Sequence, residues 1–83
     1  MDKYDYLILD IIREHKGTSA EPIKLIHLEK EFWRIIEHDR SLTIGDARIG
    51  ERITLLFLEG YIQLKDGYSL TKRGREELSY QVR

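Results

Sequence analysis

The feature that most constrains this chain is a change of hydrophobic period at Gly60. Before it, apolar residues recur every three or four positions, the spacing that gathers them on one face of an α-helix. After it, Tyr61-Ile62-Gln63-Leu64 and Tyr68-Ser69-Leu70 alternate with a period of two, as half-buried strands do. Between these runs, Lys65-Asp66-Gly67 carries the Asp-Gly signal of a tight hairpin. With 83 residues and no cysteine, the chain has no disulfides to lean on and must bury its helical faces and hairpin in one core. The expectation is a single domain over residues 1–83, mainly α with a small β-hairpin.

Four helices are predicted. Residues 2–16 place Tyr4, Leu7, Ile8, Ile11 and Ile12 on one stripe, with Lys3, Asp10, Arg13 and Glu14 toward water. Gly17 closes this helix, and Arg13, His15 and Lys16 suit its negative end. Thr18-Ser19-Ala20-Glu21 reads as a connector. Pro22 then fits the first turn of a second helix, 22–37, because its missing N–H has no partner there anyway. Leu25, Leu28, Phe32 and Ile35 or Ile36 mark its buried face, with Trp33 at the rim. Alternatively, Ile23-Lys24-Leu25 forms a short strand.

After a loop at His38-Asp39-Arg40-Ser41, Thr43-Ile44-Gly45-Asp46 matches a capping box, and Leu42 and Ala47 have the spacing of a hydrophobic staple. A third helix is therefore expected over 44–59, ended by Gly60. At 100° per residue it buries Ile49, Ile53, Leu56 and Phe57. Arg48, Glu51, Arg52 and Leu55 turn outward, with Ala47 and Leu58 at the border. Thr71 caps a last helix from 72 to about 82, with Leu78 and Val82 facing inward.

Composition removes several function classes. Hydrophobic residues at 41% and charged residues at 35% describe a folded chain with a charged surface. No apolar run approaches the ~18 residues of a membrane span, and the N-terminus opens on Asp2, Lys3 and Asp5, so a soluble, unprocessed, cytoplasmic protein is expected. His15, His27 and His38 lack the spacing of a helical zinc pair, and no serine sits in a nucleophile elbow, so no metal, no cofactor and no catalysis are expected. The net charge of −1 argues against coating nucleic acid by bulk electrostatics. Its distribution is uneven: residues 1–31 hold seven acidic and five basic side chains, whereas 61–83 hold three acidic and five basic.

In "RITLLFLEGYI", 52–62, and "KDGYSLTKRGREEL", 65–78, the chain resembles the winged helix-turn-helix family of archaeal and bacterial transcriptional regulators. The first segment is similar to a recognition helix running through a glycine into the wing, the second to the wing tip, second wing strand and closing helix. The resemblance covers nearly the whole chain and implies a three-helix bundle, a two-stranded wing at 61–70 and a short C-terminal helix. It further implies double-stranded DNA as partner, with helix 44–59 in the major groove and the wing on the backbone, and a homodimer formed through the first and last helices, near which Tyr4, Tyr6 and Tyr80 stand.

On that resemblance Arg48 and Arg52 suit guanine, Glu51 suits cytosine N4 and Leu55 a thymine methyl, while Lys65, Lys72 and Arg73 hold phosphates. The plain alternative for the two arginines is a solvated helix face paired with Glu51. For Leu58, core packing against the last helix competes with a protein contact shared with Leu55. A winged helix serving as a protein-interaction module is thus the rival reading. RNA is disfavoured, since no sheet of aromatics is present to stack bases.

Overall fold

Asp2 sets the start of the first helix. Its carboxylate accepts from the N–H of Tyr4 at 3.0 Å and of Asp5 at 3.2 Å, and the Asp5 carboxylate accepts from the N–H of Asp2 at 3.1 Å. This reciprocal capping box opens α1, Lys3–Glu14. The computed structural model describes residues 1–15 and 21–81. The expected closure at Gly17, the contribution of Lys16, the connector at 18–20 and the inward Val82 lie outside the described residues. After α1 come α2 (Leu25–His38), α3 (Ile44–Ala47), α4 (Ile49–Leu58), β1 (Ile62–Leu64), β2 (Tyr68–Leu70) and α5 (Lys72–Gln81), a mainly helical chain with one two-stranded antiparallel hairpin.

α1 buries Tyr4, Ile8, Ile11 and Ile12, and also Leu9, which the expected stripe omitted. At 100° per residue, Leu9 widens the apolar arc to roughly 160°. That width suits a helix with neighbours on more than one side: α1 packs against α2, α4, α5 and β2.

The start of α2 differs from the expectation that Pro22 opens it. Ile23 is extended, donating to the carbonyl of Tyr68 at 2.9 Å and accepting from its N–H at 2.7 Å. The short-strand alternative therefore holds for Ile23, and Pro22 precedes a β-bridge. The helix begins three residues later, at Leu25. Its buried face is Leu28, Phe32 and Ile36, with Ile35 half-buried. Leu25, in the open first turn, stays exposed while Ile23 is buried. Trp33 is the half-buried rim, its ring edge-to-face with Phe32 at 5.4 Å.

The hairpin pairs Ile62 with Leu70, Gln63 with Ser69 and Leu64 with Tyr68, so the bridge to Ile23 gives β2 a neighbour on both sides. Its tip is closed by the N–H of Lys65 donating to the carbonyl of Gly67 at 2.9 Å. Strand β1 begins at Ile62, one residue after the expected Tyr61.

The two segments that carried the family resemblance meet in space. Gly60, at φ 83, ends α4: its N–H donates to the carbonyl of Phe57 at 3.1 Å and that of Tyr61 donates to Leu56 at 2.9 Å, the paired bonds of a Schellman turn. The Thr71 hydroxyl donates to the Gly60 carbonyl at 2.6 Å and accepts from the N–H of Gly74 at 3.1 Å, while the Thr71 N–H donates to the carbonyl of Tyr61 at 3.1 Å. Thr71 thus caps α5 and fastens it to the end of α4. A Cβ on Gly74 would stand 2.0 Å from the carbonyl oxygen of Tyr61, so only glycine allows this approach. α5 then buries Leu78, and the Tyr6 hydroxyl donates to Glu77 at 2.8 Å from α1.

Two glycines should respond to alanine with opposite signs. Gly74→Ala forces backbone apart and is expected to cost about 3 kcal/mol. Gly50→Ala, in a helix where an added Cβ meets nothing within 4 Å, should gain about 0.5–1 kcal/mol. Denaturant unfolding of both variants checks this, and a neutral Gly74→Ala would refute the close packing described.

Candidate nucleic-acid interface

The third helix is broken, not continuous over 44–59. Arg48 adopts the left-handed conformation, φ 45 and ψ 51, between the single turn of α3 and the longer α4. Nor does Thr43 cap α3 as expected: its hydroxyl donates to the Asp46 carboxylate at 2.8 Å, and its N–H donates to the Tyr4 hydroxyl at 2.8 Å. Segment 43–48 is therefore tied to α1 before α4 begins. Leu42 is half-buried against the core, while Ala47, expected at a border, is buried completely.

Ile49, Ile53 and Leu56 form the buried stripe of α4. Opposite them stand Glu51, Thr54, Leu55 and Leu58, all exposed, with Leu55 at 55% and Leu58 at 71%. Two expectations fail here. Phe57 is exposed where burial was expected, and Leu58 does not pack against the last helix. The reason is geometric: the buried stripe is narrow, Phe57 lies about 80° and Leu58 about 180° from Ile49 at 100° per residue, and neither turns inward.

Arg52 is the largest correction. Expected on the outward face, its side chain is only 16% exposed and is folded against the protein itself. Nη1 donates to Asp2 at 2.7 Å and Asp5 at 3.3 Å, Nη2 donates to the Asp46 carbonyl at 2.8 Å, and Nε donates to the Ala47 carbonyl. The guanidinium also lies 4.9 Å from the centre of the Tyr4 ring. With its donors committed in this way, Arg52 does not present itself to a base edge. Nothing in the sequence pointed to Asp2 and Asp5 as its partners, because they lie 50 and 47 positions away.

The other candidate residues face solvent. Arg48 is 71% exposed and sits 3.8 Å from Glu51. Lys65 is exposed at the hairpin tip, where Lys24 adds a second cation by donating to the Asp66 carbonyl at 2.9 Å. Lys72 and Arg73 are exposed in the first turn of α5, and Arg73 covers the Tyr61 ring at 4.5 Å. Lys24 and Thr54 were not singled out from sequence; alternation through Ile23 was the available signal for the first, and outward helical spacing for the second. Among the described residues no group of three histidines or acids gathers to hold a metal, and no helix is long and apolar enough to cross a membrane.

The Arg52 cluster sets the charge state of its partners. Burial opposes ionisation of Asp2, but the Arg52 hydrogen bond and charge, with the N–H groups of Asp5 and Tyr4, outweigh it and hold the carboxyl below its ordinary 3.8. Arg34 beside Glu31, and the Ser41 hydroxyl and N–H beside Asp39, lower those two acids likewise. A carboxyl held lower in the folded than in the unfolded chain adds stability above the unfolded value, and that stability is lost as pH falls through the folded one. Stability is therefore expected to begin declining as pH drops below 4.5, the ordinary value for Glu31, and further below 3.8, that for Asp2 and Asp39. Asp2→Asn keeps a capping side chain and removes the charge, so it should cost about 1 kcal/mol at neutral pH and weaken the acid dependence. Urea unfolding at a series of pH values checks this; identical acid limbs for both proteins would exclude a role for the Asp2 charge.

No protein-family model, curated protein sequence or solved structure matches the chain.

Proposed function

We propose that the chain is a winged-helix DNA-binding protein, a transcriptional regulator of the cytoplasm in which α4 enters the major groove and the hairpin is the wing. The observation that carries this reading is the passage from α4, whose far side is open to solvent, through Gly60 directly into a hairpin with lysines at its tip. The bridge between Ile23 and Tyr68 supplies the third strand that such a wing uses as its base. In this reading Arg48 donates to guanine O6 and N7, Glu51 accepts from cytosine N4, and Thr54 and Leu55 meet a thymine methyl. Lys24, Lys65, Lys72 and Arg73 are phosphate contacts, which fix register without reading sequence. A second copy would supply the second half-site.

Titration of selected and random duplexes over a range of salt tests the reading. Arg48→Ala is expected to weaken the selected duplex about tenfold and relax preference at one base pair. Lys65→Ala should weaken all duplexes alike and lower the salt slope by about 1. No affinity at low salt, or an Arg48→Ala protein that binds as the parent does, would remove it.

A second reading, a winged helix that docks a protein, is favoured by Leu55 and Leu58, since exposed leucines on one helix face mark partner sites more readily than DNA sites. Under it, Leu55→Asp abolishes a stable complex while leaving the fold and its melting temperature essentially unchanged. A partner retained by that variant, in pull-down followed by gel filtration, would count against this reading.

A further inference from the structure

We propose that Arg52, although its side chain is folded against the protein itself, is the positioning residue that determines where Arg48 projects. The inference rests on the DNA-binding reading above. Two consecutive carbonyl oxygens at the helix break are held by this one guanidinium, and a third accepts the ordinary helical bond of its backbone. The guanidinium binds those of Asp46 and Ala47, and the Arg52 N–H donates to that of Arg48 at 3.1 Å. The first two are carbonyls that a helix break leaves without their usual partners one turn on. The same guanidinium is braced from behind by Asp2, Asp5 and the Tyr4 ring, so the break is referred to α1, the most deeply packed helix.

Arg48 needs such a hold. It is not glycine, and the left-handed conformation is unfavourable for a residue that carries a Cβ. An unsupported arginine there would relax toward the ordinary helical region, joining α3 to α4 and swinging its side chain around the helix. Lysine cannot replace Arg52, because a single ammonium does not span two carbonyls and two carboxylates in the fixed planar geometry of a guanidinium.

The test compares Arg52→Gln, Arg52→Lys, Arg48→Ala and the Arg48→Ala/Arg52→Gln double variant in duplex binding. In parallel, the intraresidue N–H to Hα contact of residue 48, measured by NMR, reports the sign of its φ. Arg52→Gln and Arg52→Lys are each expected to lose the positive-φ signature and to fall about tenfold in affinity, to the level of Arg48→Ala. The double variant should bind no more weakly than Arg48→Ala alone. If Arg52→Gln does not fold, Asp2→Asn/Asp5→Asn loosens the same guanidinium while retaining capping side chains, and is read the same way.

Normal binding by the Arg52 variants while Arg48→Ala is weak would overturn the positioning role and leave the DNA reading intact. So would an unchanged φ signature, or additive losses in the double variant. An Arg48→Ala protein that binds normally would overturn the DNA reading itself, and this inference with it.

Discussion

The burial of α1 is the constraint on which the remaining structure depends. A helix of twelve residues with an apolar arc of roughly 160° cannot be satisfied by one neighbour, and α2, α4, α5 and the hairpin arrange themselves around it. Its first turn does more than start a helix. Asp2 and Asp5 close its first turn and then serve Arg52, while Tyr4 on the buried face carries a hydroxyl that accepts from Thr43. The first turn of α1 thus acts as core, cap and brace for a segment 39 to 50 positions later.

Where the fold was legible, the signal was local and stereochemical. The Asp-Gly hairpin, the termination at Gly60 and the Thr71 cap follow from backbone angles and orphan N–H groups within a few residues, which sequence displays directly. The reason Gly74 must be glycine was visible only as a resemblance; in space it is the carbonyl of Tyr61, thirteen positions earlier. The helix break was hidden because the left-handed residue is an arginine and neighbouring Gly45 and Gly50 have ordinary angles. Helical projection put Arg52 on the flank of the buried stripe and could not show Asp2 and Asp5 of α1 standing there to draw it in. Ile23 was ambiguous for the reason that any three-residue apolar alternation is, and its partner Tyr68 resolved it.

The position of Arg52 also alters the meaning of the charge. The acidic excess of residues 1–31 includes Asp2 and Asp5, whose negative charge is used internally to hold a guanidinium. Arg48, Lys24, Lys65, Lys72 and Arg73 are among the exposed cations, so with Asp2 and Asp5 occupied by Arg52 the formal net charge does not by itself describe the surface these residues offer. Short-range contacts depend on the local charges, because a Debye length of about 8 Å screens distant acids at physiological salt.

The two proposed uses of α4 share Leu55 but differ at its ends, Arg48 for a duplex and Leu58 for a protein. At 1.5 Å per residue, Leu58 lies about 15 Å along the axis from Arg48, at the opposite end of the helix. If the N-terminal half of α4 enters the groove, Arg48 and Glu51 meet base edges, Leu55 reaches the last thymine methyl available, and Leu58 stays outside with Phe57. An exposed leucine at the outer end of a groove-binding helix costs the DNA contact nothing, whereas the same leucine beside Arg48 would. On the DNA-binding proposal, the order of residues along α4, charged first and apolar last, is therefore an arrangement that would let one helix read a duplex and still leave an apolar end uncovered.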